Sequence, residues 1–152
     1  MSNQIDFYFD IISPFSYIAH KKIQNIKKNK KINFNYKPVF LGGLHKLAEI
    51  DAPAFNKYKI KILQSDCELV AGKNDIPFIW NSKFPINSLY IMRGYLCVEK
   101  ELKELYLDAL YNAYWRATSP VACPLKLGLW TGLFVCSFAR GALAGCMWCS
   151  IR

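Results

Sequence analysis

The sequence has few of the residues from which metal sites are built, and its acidic residues stop well before its end. It contains only two histidines, His20 and His45, which are too isolated to form a metal site. We therefore expect both on the surface, and no bound metal. All 11 acidic residues precede Trp115, and the stretch 116–152 contains no Asp, Glu, Asn or Tyr. The last part of the chain thus differs in character from the rest.

A secretion signal and a convincing membrane span are also lacking. The first residues, MSNQIDFYF, have no basic segment and carry Asp6 where the apolar part of a signal peptide would lie. Residues 127–148 are largely apolar, but four glycines and Arg140 interrupt them, which argues against a membrane helix. We expect a cytoplasmic protein whose six cysteines remain thiols.

Positive charge is abundant, with a net charge of +9 and seven lysines between Lys21 and Lys37. These lysines fit a solvated helix face, and they also fit a basic surface suited to an anionic small ligand. Nucleic acid is not an expected partner, because basic and aromatic residues do not interleave and no binding motif is present.

Regular alternation at the N-terminus predicts a strand over residues 4–11. Ile5, Phe7 and Phe9 alternate with Asp6, Tyr8 and Asp10, as in a strand with one apolar face. Ser13 and Pro14 are favoured at the start of a helix, and this helix is predicted to reach Asn29. Its apolar positions are Phe15, Ile18, Ala19, Ile23 and Ile26.

A second alternating run, Ile32 to Lys37, completes a βαβ unit with parallel strands. Further helices are predicted over 55–73, 87–98 and 100–115. The apolar positions of the first include Tyr58, Ile62, Cys67 and Leu69. The stripe on the last is Leu102, Leu105, Tyr106, Ala109, Leu110, Ala113 and Tyr114, with Tyr114 and Trp115 expected in the core.

Ser13 has two interpretations that its position alone leaves open. It can serve only as the helix cap. It can also hold a thiolate from another molecule, because the first turn of a helix has unpaired N–H groups and a partial positive charge that lower a thiol pKa. In the second case the Ser13 hydroxyl would donate a hydrogen bond to the sulfur.

Three stretches then carry a family resemblance. Ser13-Pro14-Phe15-Ser16 stands where a disulfide oxidoreductase has Cys-x-x-Cys, and DFYFDIISPFSYIA is similar to the N-terminus of 2-hydroxychromene-2-carboxylate isomerases. KPVFLGGLHK and IPFIWNSKFPINSL resemble two further segments of that family in the same order. These isomerases group with kappa-class glutathione transferases among DsbA-like proteins. The resemblance covers about residues 4–115.

The resemblance implies an α/β, thioredoxin-like (DsbA-like) fold, with a helical domain inserted after the first βαβ unit. It implies glutathione as cofactor, with its sulfur at Ser13 and further contacts from Ser16 and Lys46. Lys46, Phe84, Pro85 and Asn87 would contact a small-molecule substrate. Three of these residues also have an ordinary structural role open to them: Ser16 in the first helical turn, Lys46 at the surface, Asn87 as a helix cap. Family enzymes are commonly homodimers.

The resemblance also implies a domain division and a departure from the family pattern. Residues 1–41 would form the N-terminal βαβ unit, 42–115 the inserted helical domain, and 116–152 an atypical tail in place of the family's C-terminal ββα portion. We hypothesise that the tail arose by a reading-frame change. Because the missing portion would pair with the first strand and contact glutathione, we expect weak or no activity. The Cys146-Met147-Trp148-Cys149 motif lies too close to the end to be a redox site.

Two other functions remain open. A kappa-type glutathione transferase would conjugate glutathione to electrophiles, and a thioredoxin-like remnant would have no catalysis. A disulfide oxidoreductase is disfavoured, because serines at positions 13 and 16 cannot exchange thiols.

Overall fold

The N-terminal third of the chain forms a parallel βαβ unit. The computed structural model describes residues 4–29 and 32–116. Strand β1 (Gln4–Phe9) is followed by helix α1 (Pro14–Asn29) and strand β2 (Asn33–Pro38). The two strands pair in parallel, from Gln4 opposite Asn33 to Phe9 opposite Pro38. This confirms the predicted topology. The predicted tail, with its Cys-x-x-Cys motif and its largely apolar stretch 127–148, lies outside the described residues apart from Arg116.

Strand β1 is shorter than predicted, and its last predicted polar position is buried. The strand ends at Phe9 because the Asp10 carboxylate accepts the N–H of Ile12 at 3.2 Å, which turns the chain. Asp10 is only 1% exposed, although the alternation placed it on the polar side. The hydrogen bond from the Ile12 N–H to the Asp10 side chain therefore ends the strand two residues earlier than predicted.

The buried face of α1 is rotated from the predicted one. Phe15 is 45% exposed and Ile26 also faces solvent, while Tyr17 and His20 are fully buried beside Ile18 and Ile23. Helix α5 (Lys103–Trp115) explains the rotation, because the Tyr111 ring lies 5.7 Å from Tyr17 and 5.3 Å from His20, measured between ring centroids. The aromatic contacts of α1 thus outweigh its aliphatic pattern.

His20 contradicts the prediction that it lies on the surface. Its ring is packed between Tyr36 of β2 and Tyr111 of α5, and its Nδ1 lies 3.3 Å from the Tyr36 hydroxyl. The Nε2 lies 3.4 Å from a carboxylate oxygen of Asp108. Burial lowers the pKa of His20 to about 4 although the Asp108 charge opposes this, so the imidazole is neutral near pH 7. The described residues contain no cluster of His, Cys, Asp and Glu suited to a metal.

Helices α3 (Lys59–Lys73) and α4 (Leu89–Cys97) are present as predicted, with shifted ends. Helix α2 (Leu41–Leu47) was not predicted, and single 3-10 turns lie at Pro53–Phe55 and Lys100–Leu102. Helix α3 begins later than predicted because Asn56 accepts the N–H groups of Tyr58 and Lys59, at 3.0 and 3.1 Å. Within the described residues, no helix is long and apolar enough to cross a membrane.

The apolar stripes predicted for α3 and α5 are partly wrong. Of the four positions singled out in α3, Cys67 alone is buried, while Tyr58, Ile62 and Leu69 are exposed. In α5, Leu105 is exposed and the buried face is Leu107, Leu110, Tyr111, Tyr114 and Trp115. This face has helical spacing too, so periodicity alone could not choose between the two stripes. The expected burial of Tyr114 and Trp115 is confirmed.

Candidate functional site

Ser13 caps α1 and presents its hydroxyl at the helix start. Its side-chain oxygen accepts the N–H of Ser16 at 3.3 Å, and its carbonyl accepts the N–H of Tyr17 at 3.2 Å. Ser13 is half-buried, and within the described part of the chain its hydroxyl hydrogen has no acceptor. The helix that follows is 16 residues long and has no acidic residue in its first turn. An anion placed here would meet a hydroxyl donor and a positive helix end.

Ser16 lies in the first turn of the same helix, on the side that faces α5. Burial raises the pKa of the Tyr111 hydroxyl well above its usual value, while the nearby Ser16 side chain acts in the opposite direction. Tyr111 is therefore a neutral hydroxyl. Ser16 thus has a neighbour within the fold, besides the ligand contact implied by the family resemblance.

The buried Asp10 carboxylate joins three parts of the chain that are distant in sequence. One oxygen accepts the N–H of Ile12, in the turn before Ser13. The other oxygen accepts the N–H of Leu41, the first residue of α2, at 2.7 Å, and the hydroxyl of Ser88 at 2.9 Å. Ser88 directly precedes α4 and is itself buried. The three motifs that carry the family resemblance therefore meet at one carboxylate.

Helix α5 holds the carbonyl groups of the same turn. The Trp115 indole N–H donates to the Ile11 carbonyl at 3.0 Å, and the Tyr111 hydroxyl lies 3.5 Å from the Asp10 carbonyl. The Ser13 N–H in turn donates to that Asp10 carbonyl at 3.1 Å. The turn that presents Ser13 is thus tied down through its carbonyls as well as its carboxylate.

The loop IPFIWNSKFPIN packs on the end of α5. The Phe84 ring lies 4.9 Å from Trp80 and 5.7 Å from Trp115, and the Ile79 N–H donates to the Trp115 carbonyl at 2.8 Å. Phe84 and Pro85 are joined by a cis peptide bond and are both half-buried. The Tyr17 hydroxyl donates to the Pro77 carbonyl and attaches the loop to α1 as well. The loop presents an aromatic, partly exposed surface.

The structure brings together some of the predicted site residues and not others. Ser13 and Ser16 are joined by a direct hydrogen bond. Asn87 is exposed and accepts the N–H of Leu89, the first residue of α4, at 3.0 Å, while the N-cap position of that helix is Ser88. Lys46 is exposed near the end of α2 and has no ion-pair partner among the described residues. Asp10 connects the Ser13 turn to the helix that carries Lys46, because its carboxylate accepts the N–H of Leu41, the first residue of that helix.

Sequence reasoning missed Asp10, Ser88 and Tyr111. A signal for Asp10 was available, because a carboxylate three residues before a Ser-Pro helix start breaks an apolar run, FDII, that should otherwise be wholly apolar. Ser88 and Tyr111 carried no comparable signal. A serine before a helix and a tyrosine within one are ordinary residues at ordinary places.

The fold and this turn define the class of protein. The model of the DSBA-like thioredoxin domain family matches residues 4–126, so the chain belongs to that family. The match runs past Trp115, the residue at which the sequence resemblance was expected to end. The implied α/β, DsbA-like thioredoxin fold is thereby confirmed.

Two curated relatives make the comparison more particular. A 2-hydroxychromene-2-carboxylate isomerase of Sphingobium xenophagum is 28% identical over 117 residues, which cover 76% of this chain and 60% of that protein. Glutathione S-transferase kappa 1 of Caenorhabditis elegans is 32% identical over 124 residues, which cover 76% of this chain and 54% of the relative. The chain thus spans between half and two thirds of the length of each, and both relatives are enzymes.

A solved structure agrees on the fold. The structure of a 2-hydroxychromene-2-carboxylate isomerase superposes with a TM-score of 0.69 at 22% identity, covering 90% of this chain and 70% of the other. At this level of identity the superposition establishes the shared architecture.

Proposed function

We propose that the chain is a glutathione-dependent isomerase of the 2-hydroxychromene-2-carboxylate type, with the glutathione sulfur held at Ser13. The observation that carries this proposal is the Ser13 hydroxyl, which caps α1 while its hydrogen has no acceptor in the described residues. Relatives named as this isomerase and as a kappa glutathione transferase supply the chemical context.

The residues of the turn fit a thiolate better than they fit a neutral ligand. The positive end of α1 stabilises negative charge, and the Ser13 hydroxyl can donate to it at once without breaking an existing bond. Both effects favour the ionised form of a thiol and so lower its pKa. Serine cannot form a disulfide, so a sulfur held here stays available for addition.

Glutathione, when bound, would supply the nucleophilic thiol. Ser13 would keep that thiol ionised and oriented near neutral pH. Lys46, which has no ion-pair partner among the described residues, would pair with a carboxylate of glutathione or of the substrate. Phe84, Pro85 and Asn87 would form the wall against which an aromatic substrate lies, and Ser16 would support Ser13 through their shared hydrogen bond.

A kappa-type glutathione transferase is the second candidate. The higher identity, 32%, is to the kappa transferase of C. elegans rather than to the isomerase of S. xenophagum. The two candidates differ in the fate of glutathione. Product analysis after turnover would find glutathione unchanged for the isomerase and a growing conjugate for the transferase.

The test is glutathione binding by calorimetry, with two variants of Ser13. Ser13→Ala removes both the cap and the donor, whereas Ser13→Asp keeps a cap oxygen but replaces the donor with a negative charge. We expect measurable binding by the parent chain and at least tenfold weaker binding by both variants. Binding unaffected in Ser13→Asp would place the sulfur elsewhere. No binding by the parent would favour the inactive remnant over both enzymes.

A further inference from the structure

Asp10 is the buried charge nearest in sequence to Ser13, and the roles predicted from the sequence leave it unused. It is buried with Ser88 in a core that is otherwise mostly apolar. A carboxylate in such a place is costly unless its oxygens are hydrogen-bonded. Three donors meet that need: two backbone N–H groups and one hydroxyl. Burial raises the pKa of Asp10, while these donors act to lower it.

The positions of the donors are more informative than their number. Each comes from a different segment: Ile12 from the turn before α1, Leu41 from the start of α2, and Ser88 from the loop before α4. Those segments carry Ser13, Lys46 and Asn87 respectively. A purely local turn would need only the bond to Ile12. The other two bonds fix the distance between the helix end at Ser13 and the two segments proposed to contact ligand.

We infer that the Asp10 carboxylate is a positioning residue for the site at Ser13, because it holds the Ser13 turn, the start of α2 and the Ser88 loop in one arrangement. The inference rests on the proposed function for its ligand, glutathione. Asp10 does not touch the sulfur in this scheme. It acts through the Ile12 N–H and through its own carbonyl, which accepts the Ser13 N–H at 3.1 Å.

Ser88→Ala is the sharpest variant, because it removes one donor 78 residues away from Asp10 in the sequence without changing any charge. Ser82→Ala is its matched control, since Ser82 is an exposed serine in the same loop. Asp10→Asn is a second variant that keeps the side-chain shape but cannot accept all three bonds. All chains would be compared as full-length protein.

Two quantities would be measured with glutathione as the probe. The first is its affinity by calorimetry, and the second is the pKa of its bound thiol from the ultraviolet absorbance of the thiolate across pH. For Ser88→Ala we expect about tenfold weaker binding and a raised pKa of the bound thiol, and for Asp10→Asn a larger loss of affinity. Ser82→Ala should match the parent. A merely structural loss would reduce the folded fraction but would leave the thiol pKa of the folded fraction unchanged.

A third measurement needs no ligand: hydrogen exchange of the Ser16 and Leu41 amides. Both should exchange faster in Ser88→Ala than in Ser82→Ala, with amides in the middle of α1 as an internal reference. If the parent binds glutathione and Ser88→Ala leaves both the affinity and the thiol pKa unchanged, the inference is wrong while the proposed function stands. If the parent binds none, the proposed function fails, and exchange decides the positioning role alone: faster exchange supports it, and unchanged exchange overturns it.

Discussion

The surroundings of Ser13 and those of Lys46 are packed very differently. Around Ser13, α1 and α5 bury Tyr17, His20, Tyr111 and Trp115 completely or nearly so. Helix α2, which carries Lys46, has no buried residue, and α3 buries only Cys67 and Ala71. Large apolar side chains there face solvent, with Leu47 84% exposed and Phe55 82% exposed.

The difference in packing matches the different structural support that the proposed roles of Ser13 and Lys46 require. In the proposed function, a hydroxyl that holds a sulfur needs a fixed position, and the contacts of α5 with the turn supply it. A lysine that pairs with a carboxylate works through a long, flexible side chain and tolerates a looser support. The link between the regions is the bond from the Leu41 N–H to Asp10.

The largest expected effect is from Trp115→Ala, in the packed region. Trp115 is fully buried, its indole donates to the Ile11 carbonyl, and its ring contacts Phe78 and Phe84. Its removal should lower the free energy of unfolding by about 3–5 kcal/mol, measured by urea denaturation. A loss below about 1 kcal/mol would contradict the view that this region supports the fold.

The next effect is a pH dependence set by His20. Its folded-state pKa is lowered from 6.5 to about 4, so between these values the unfolded chain binds a proton that the folded chain does not. Stability should therefore fall as pH decreases through this window, by up to about 3 kcal/mol. Urea midpoints of the parent and of His20→Gln, measured from pH 7 to pH 4, should show this slope in the parent alone.

The comparison with His20→Gln distinguishes the pH dependence of stability due to His20 from that due to two carboxyl groups, Asp10 and Asp108. The pKa of Asp10 is raised by burial, and Asp10 is present in both proteins. Burial also opposes the charge of Asp108, but the hydrogen bond and charge of Lys21 hold the Asp108 pKa below its usual value. If both proteins show equal slopes, His20 is not the group responsible.

A smaller effect is expected at the cap. Ser13→Ala should destabilise the chain by about 1 kcal/mol, because the Ser16 N–H loses its acceptor. Ser13→Asp should cost much less, since aspartate is an equally good cap and favours the helix N-terminus. Urea denaturation of the two variants would test this. Equal losses would mean that Ser13 stabilises the fold in some way other than by capping.

The smallest effect belongs to the loosely packed region. Phe55→Ser should change the free energy of unfolding by less than about 0.5 kcal/mol, because the ring is already in solvent. A loss comparable with that of Trp115→Ala would show that α2 and α3 are covered in solution, and would remove the contrast between the regions.

The sequence by itself determined the local structure around Ser13. Strand alternation, a serine followed by proline, and a second alternating run specify a βαβ unit, because these signals act between near neighbours. The same local signals identified the capping serine, which the structure shows accepting the Ser16 N–H. They also placed α3, α4 and α5 to within a few residues, although they did not predict α2.

Only the tertiary structure decided which side chains are buried and which residues bind the turn that precedes Ser13. His20 and Asp10 look like surface residues in the sequence and become buried because α5, Leu41 and Ser88 cover them. The stripes of α1 and α5 could not be placed from periodicity, since each helix has more than one apolar face and the choice depends on the partner helix. Partners that are 31 to 104 residues apart in sequence supply four of the hydrogen bonds that hold the turn, and no local pattern encodes such contacts.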